Sequence, residues 1–446
     1  MAANGIESSV RTMPNAWPVI PLLLRHSVKI NLPIIEQHSE EAAFLWLLRG
    51  SAVSAPHYKL KDLAKLDDRI DAHIDGLRIA EDAGWEILKK QLEEHPEPGE
   101  AFAAAVLAFE SNKDDRIGFV IKFGTATIEA SRGLVSALGW LPYDRAEKVI
   151  QRLLAAEAPA VLRVGIAASA VHRQNPRRAL DKALAHADPF LKSRALRAVG
   201  ELGLVDYLPT TRKNLTSENP SCRFWAAWTL ALVSGDKDAI AQLQVVAESE
   251  SPYREKAVQM VTRRLEPSAV KMWQRKLSQN PKLVRLATIG AGLLGDPEAV
   301  PALIERMSNP ELARVAGEAF TMITGVDIAY QDLDANKPEG FESGPTENPK
   351  DEDVSMEPDE NLPWPKPEAI QNWWSKHQGQ FSNETRHLLG KPMTPEWLYQ
   401  VLREGRQRQR AAAALEIALR QRGTKLFEVR APGFRQQKIL AELDKK

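Results

Sequence analysis

The sequence predicts an all-α solenoid of short helical pairs. Three observations point there: an arginine that returns about every 30 residues, a proline-capped start before each such arginine, and a glycine stop after several of them. Arg132, Arg163, Arg194, Arg223, Arg254, Arg285 and Arg314 are separated by 31, 31, 29, 31, 31 and 29 residues. Each opens a small-and-apolar run such as Trp225-Ala226-Ala227-Trp228 or Ile289-Gly290-Ala291-Gly292-Leu293. A period of this length holds two helices of about 11 residues and two turns.

The punctuation fits that division. Asp188-Pro189, Asn219-Pro220, Ser251-Pro252, Asn280-Pro281 and Asn309-Pro310 precede the anchors. Each pair supplies a capping side chain and a proline at the first helical position, where a missing N–H costs nothing. Gly203, Gly235, Gly295 and Gly325 follow the anchor helices as stops. Asp296-Pro297 opens a second helix over Glu298 to Met307, with Val300, Leu303 and Ile304 on one face. One pair cannot bury its apolar face alone, so neighbours must stack, and Ala198, Ala227, Ala257 and Gly290 permit close approach.

The pattern D-P, R-x-x-A, L-G resembles the short HEAT-like repeat. That resemblance implies an Asp/Arg ladder through the stack. Asp188 with Arg194 matches the pairing, while Asn219 and Asn280 replace the acid elsewhere.

Composition limits the function classes. The 446 residues are 43% hydrophobic and 26% charged, with zero formal net charge. Neutrality disfavours a protein that grips nucleic acid along its length. One cysteine, Cys222, allows neither an internal disulfide nor a cysteine zinc site, and reads as a small packed residue in a reducing, cytoplasmic setting. Trp17 to Leu24 is interrupted by Pro18 and Pro21 and does not read as a signal peptide, and no stretch approaches a membrane span. No H-E-x-x-H, Walker A, G-x-G-x-x-G, G-x-S-x-G or C-x-x-C is present. The expectation is no catalytic residue, no metal and no cofactor.

Four regions are expected. Residues 1–110 form a leader and helical capping region: residues 10–35 read as irregular, Glu40 to Arg49 as a short helix, and Leu60, Leu63, Leu66, Ile70, Ile74, Leu77 and Ala80 as one face of a long helix. Residues 111–328 hold the repeats. Residues 329–363 read as an acidic disordered linker or loop, with eleven acids against Lys337 and Lys350 between 332 and 360. Residues 364–446 form a basic helical cap rich in tryptophan, with 16 basic and 8 acidic side chains from 366 onward. The linker is expected to fold back and screen this tail, against the alternative that the tail meets an acidic partner.

The run Asp62 to Arg78, with Glu81-Asp82-Ala83-Gly84-Trp85-Glu86, resembles the N-terminal signature of a proteobacterial family of HEAT-repeat proteins. Arg410 to Leu419 and Phe427 to Gln436 resemble its closing segment, so the resemblance spans nearly the whole chain. Members are often encoded near type VI secretion components. That implies effector handling or immunity, with a secretion effector or a machinery component as partner, and it carries no catalytic motif.

The expected function is therefore a non-catalytic scaffold or adaptor for another protein. The expected contacts are Arg197, Arg223, Trp225 and Trp228, because arginine and tryptophan supply much of interface energy. The alternative is a nucleic-acid binder or a DNA-glycosylase-like HEAT protein, using Trp225, Trp228 and Trp273 with Arg and Lys along a concave face.

Overall fold

The computed structural model describes residues 30–344 and 357–443, which form 22 α-helices and two minimal two-stranded pairings. The expected N-terminal leader lies largely outside the described residues, as does the middle of the acidic segment.

The chain begins with α1 (Leu32–Ala52), α2 (Leu60–Ile79) and α3 (Glu81–Glu94). The first helix starts eight residues earlier than expected, because Pro33 sits in the first turn, where proline is tolerated. The predicted face of α2 is buried throughout, from Leu60 to Ala80.

Helices then alternate. They are α4 (Pro98–Ser111), α5 (Asp114–Gly124), α6 (Ala130–Trp140), α7 (Tyr143–Leu154), α8 (Pro159–Val171), α9 (Arg178–Ala185), α10 (Pro189–Glu201) and α11 (Leu208–Arg212). They continue as α12 (Pro220–Ser234), α13 (Lys237–Glu248), α14 (Arg254–Arg264), α15 (Pro267–Ser278), α16 (Val284–Leu294), α17 (Val300–Arg306) and α18 (Pro310–Thr324). The even-numbered helices pack on one another from α4 to α18, while the odd-numbered ones pack on their sequence neighbours. All seven anchor arginines fall in the first half of an even-numbered helix, so the repeat reading holds. The helix α4 joins this stacked layer although its sequence lacks the anchor.

Local chemistry sets the boundaries. Asp188 accepts from the Leu191 N–H, Asn219 from Ser221 and Cys222, and Asn309 from Glu311. Gly203, Gly235, Gly295 and Gly325 have φ of 64, 66, 73 and 74°, the left-handed region that ends a helix. The ladder differs from expectation. Asp188 is spent on its cap, and Arg194 pairs instead with Glu201, at 3.0 Å.

The stacked helices run the same way, so their C-terminal carbonyls collect along one edge. The C-terminal region lies on that edge. It contains α19 (Pro367–His377), α20 (Pro395–Glu404), α21 (Gln407–Arg420) and α22 (Gly433–Leu443). Arg386 donates to Leu294 and Leu293 O at the end of α16, at 2.8 and 3.2 Å. His387 N donates to Gly295 O at 2.7 Å, and Leu389 N to Met322 O at 2.7 Å. Leu426 N reaches Glu201 O at 3.0 Å, Lys425 reaches Arg173 O at 2.9 Å, and Arg435 reaches Gly139 O at 2.8 Å. Helix ends leave such carbonyls unpaired and carry partial negative charge, which basic side chains offset. This accounts for part of the tail's positive excess without the acidic segment.

The tail also joins the two ends of the array. Arg408 donates to Ser54 O, between α1 and α2, and pairs with Glu318 of α18 at 2.7 Å. Arg406 pairs with Asp327 at 2.7 Å and bridges backbone to Lys59. Arg49 of α1 and Asp67 of α2 form a buried ion pair. The guanidinium donates to Arg430 O and Ala431 O at 3.0 and 2.9 Å, and the carboxylate accepts from Gly433 N at 2.5 Å. A side chain at Gly433 would meet Ala64 Cα at 2.7 Å, so the approach of α22 to α2 requires glycine. The region expected as a cap on the last repeat thus returns along the whole array to the first helices.

The flanks of the acidic segment are packed, which corrects the expectation of a free linker there. Asp334–Ala335 pairs antiparallel with Trp364–Pro365. Asp359 is 4% exposed and held by both terminal nitrogens of Arg285, at 2.7 Å each. Glu357 pairs with Arg314, whose guanidinium also lies 4.3 Å from the Trp364 ring centre. Composition treats these acids as solvated; the array supplies them with guanidinium partners. Of the tail aromatics Trp374 is buried beside Ile370 and Phe320, and Trp373 and Phe381 pack half-buried against the same cluster.

Asp67→Ala is expected to cost about 3–5 kcal/mol, because it strands the Arg49 charge, read as a fall in the urea midpoint. Gly433→Ala is expected to lower the midpoint as well, through the clash with Ala64. An unchanged midpoint in both variants would contradict this role for the junction.

Candidate interface on the stacked layer

The sequence-derived contacts divide in the structure. Trp225 and Trp228 sit on α12 and are each only 8% exposed. Their rings meet edge to face at 5.4 Å, and Trp225 also meets Phe224 and Tyr253. Spacing alone left them ambiguous, since i and i+3 residues share a helix face whether that face is buried or open. They present no broad ring face to a partner. Trp273 is likewise buried, at 5%, and donates to Glu248 at 2.8 Å. The three rings proposed as a base-stacking platform are therefore committed to packing.

Arg197 is different. Its guanidinium lies over the Trp225 ring at 4.8 Å and donates to Glu201 at 2.7 Å, yet 40% of the side chain stays accessible. Trp225 thus forms a floor beneath a half-open arginine, with Trp228 packed edge to face against it. Arg223 is exposed but stands apart. It bonds the Ser217 and Glu218 carbonyls just before its own helix, at 2.6 and 2.7 Å. The structure brings Arg197, Trp225 and Trp228 together and leaves Arg223 outside.

Sequence reasoning missed what surrounds Arg197. Lys256 of α14 lies in the electrostatic reach of Arg197 and Arg430, and Arg430 in that of Arg197, Arg132 and Arg49. Burial lowers the Lys256 ammonium from its ordinary range, and Arg197 and Arg430 lower it further. Burial also lowers Arg430; Glu428 opposes this, while Arg197, Arg132 and Arg49 add to it. The side chains of Arg132, Lys256 and Arg430 make no hydrogen bond or ion pair among the described residues. No local signal marks this cluster, because Arg132 and Arg430 are nearly 300 positions apart.

Glu201 is the acid beneath it, 4% exposed. Burial pushes its carboxyl up, but Arg194, Arg197 and Arg173 outweigh that and hold it at about 2. Cys222 is buried, its thiol pushed up by burial, with Sγ 3.5 Å from Pro189 O. His172 is held neutral, at about 4, by burial and by Arg435. Among the described residues no group of three or more His, Cys, Asp or Glu could hold a metal ion. No described helix is long and apolar enough to cross a membrane.

Residues 176–262 match the family model of HEAT repeats. The matched stretch runs from the start of α9 to near the end of α14, and it contains Arg197, Arg223, Trp225 and Trp228. The fold and this match define a HEAT-repeat α-solenoid. No curated protein matches the chain.

The depressed Glu201 value has a testable sign. Its folded pKa lies below the ordinary 4.5, so its contribution is fully present above pH 4.5 and is lost as pH falls toward 2. The wild type should exceed Glu201→Gln by on the order of 3 kcal/mol near neutrality. That gap should close between pH 4.5 and 2 in urea unfolding series. A gap independent of pH would show that the charge of Glu201 is not what stabilises.

Proposed function

We propose that the chain is a non-catalytic scaffold that binds another protein, with Arg197 at the centre of the contact. HEAT repeats are commonly protein-interaction scaffolds, and the match covers the helices that carry Arg197. The observation that supports the reading most is the half-open Arg197 guanidinium on the buried Trp225 ring. An arginine fixed by stacking loses little freedom on binding and suits a contact that carries much of the affinity. Arg223 stands apart, tied to the Ser217 and Glu218 carbonyls, and would be a separate, second contact.

The resemblance of residues 62–86 and 410–436 to secretion-associated relatives supports a finer reading. The partner would belong to a type VI secretion system, with the chain as effector chaperone or immunity factor. The nucleic-acid alternative loses its aromatic platform, since Trp225, Trp228 and Trp273 are buried.

Joint replacement Arg197→Ala and Arg223→Ala should weaken capture of the partner from native-host lysate at least tenfold, since truncating a central arginine costs roughly 1–2 kcal/mol or more. Circular dichroism should stay near wild type, with the melting temperature lowered because Arg197 is a partner of the buried Glu201. Undiminished capture by a folded double variant would sink the reading. So would a tight, salt-sensitive shift of plain duplex DNA that the same variant abolishes.

A further inference from the structure

The stacked layer begins one helix before α4. The first helix, α1, packs on α4, with the Trp46 and Phe102 rings stacked at 5.7 Å and Gly99 close against Ala43. On another side it meets α2, where Gly76 abuts His38 and Asp67 pairs with Arg49. The side that α1 turns away from both is apolar, although the terminal helix of such an array needs a polar outer face. Phe44, Leu47 and Leu48 are 60, 49 and 39% exposed there. They stand one turn apart on the helix and form one patch. The far end of the layer is treated differently. Gly317 of α18 lies against Ile328 and Pro365, and Phe320 packs with Ile370 and Trp374, so the chain covers its own last helix.

Two observations bear on what covers α1. The first is charge. Glu36, Glu40 and Glu41 share the outer face: at about 100° per residue, all three fall within roughly 80° of Phe44. None of them has a hydrogen bond or ion pair among the described residues. The second is the chain that leads into the helix. Before Ile30, and outside the described residues, the sequence runs from an apolar stretch, Trp17 to Leu24, into Arg25-His26-Ser27-Val28-Lys29. Pro18 and Pro21 oppose helix in the apolar part. A chain that reverses at Ile30 therefore presents first basic and then apolar side chains, the order in which α1 presents acids and then its patch.

The lengths agree as well. At about 1.5 Å per helical residue, Glu36 to Glu41 lie roughly 6–14 Å from Leu32, and Phe44 to Leu48 roughly 18–24 Å. At about 3.3 Å per extended residue, Lys29 to Arg25 reach roughly 3–17 Å back from Ile30, and Leu24 to Leu22 roughly 20–26 Å. A second copy of the chain fits this face less well. Antiparallel pairing of two α1 helices about Phe44 would set Glu40 and Glu41 of each against Leu48 and Leu47 of the other, burying carboxylates without counterions.

We propose that residues 22–29 lie extended and antiparallel along α1, with Leu22, Leu23 and Leu24 over Phe44, Leu47 and Leu48, and with Arg25 and Lys29 facing Glu36, Glu40 and Glu41. The chain thereby closes both ends of its stacked layer with its own side chains. Because the tract adjoins α1 in sequence, it meets this face at a local concentration on the order of millimolar, ahead of a second molecule.

The test uses the full chain carrying Leu23→Cys and Leu47→Cys, two positions that the rises above set at the same height, roughly 23 Å along α1. The native Cys222 is buried. Mild oxidation is expected to give an intramolecular disulfide, located by peptide mass spectrometry, in a protein whose circular dichroism matches wild type. The pair Leu23→Cys with Ile79→Cys controls for tether length alone. Ile79 is exposed on α2, three residues past the Gly76 that abuts His38 of α1. This pair should cross-link at least tenfold more slowly. Arg25→Glu with Lys29→Glu should slow the Leu23/Leu47 reaction at least threefold, and adding Glu36→Lys, Glu40→Lys and Glu41→Lys should restore it. Equal rates for the two cysteine pairs would overturn the proposal, because a loose tether would then explain both. Disulfide-linked dimers in place of the intramolecular bond, or a wild-type dimer in light scattering that Leu47→Glu dissociates, would assign the face to a second copy instead. A rate indifferent to the charge reversals would overturn the register proposed for Arg25 and Lys29.

Discussion

The organising constraint is the polarity of the stacked layer. Eight helices run in one direction from α4 to α18, so their unpaired terminal carbonyls accumulate on a single edge. An isolated helix can leave these groups to water. Here the same edge is covered by residues 386–435, and cover without donors would strand buried acceptors. The tail answers with backbone N–H groups at His387, Leu389 and Leu426, and with the side chains of Arg386, Lys425 and Arg435. Three of the tail's basic side chains are thus placed by the stacking of the helices.

Once the tail follows that edge, it must pass every repeat and arrive at the first helices. Its arrival is fixed by charge. Arg49 and Asp67 are both nearly inaccessible, and neither could be tolerated there alone. Each also bonds the turn 430–433, so the pair reads the tail as well as itself. Upstream, Arg406 and Arg408 touch the α1–α2 connection and the last repeat together. An array that would otherwise end in two unrelated caps is closed through one segment. The segments that resemble a family's opening and closing signatures are the two that meet at this junction.

Local features were legible in the sequence, and long-range pairings were not. The anchors, the N-caps at Asp188, Asn219 and Asn309, the four glycine stops and the α2 face all depend on neighbours within a few residues, and periodicity encodes them. The partners of Asp67, Arg285 and Arg408 are encoded nowhere locally, since closure decides them. Two misreadings share this cause. The acids at 357 and 359 looked solvated because their partners lie 43 and 74 positions away. Trp225 and Trp228 looked like contacts because a helix with apolar residues nearly all round gives no hint of which face is open, and α12 is buried on most sides.

The same closure bears on where a partner can bind. The carbonyl edge is occupied by the tail, and the α16 and α18 end of the layer is occupied by Glu357 and Asp359. The stretch around α10 keeps Arg197 half-accessible, and there the tail brings both a cation, Arg430, and an acid, Glu428, so its charge is partly compensated.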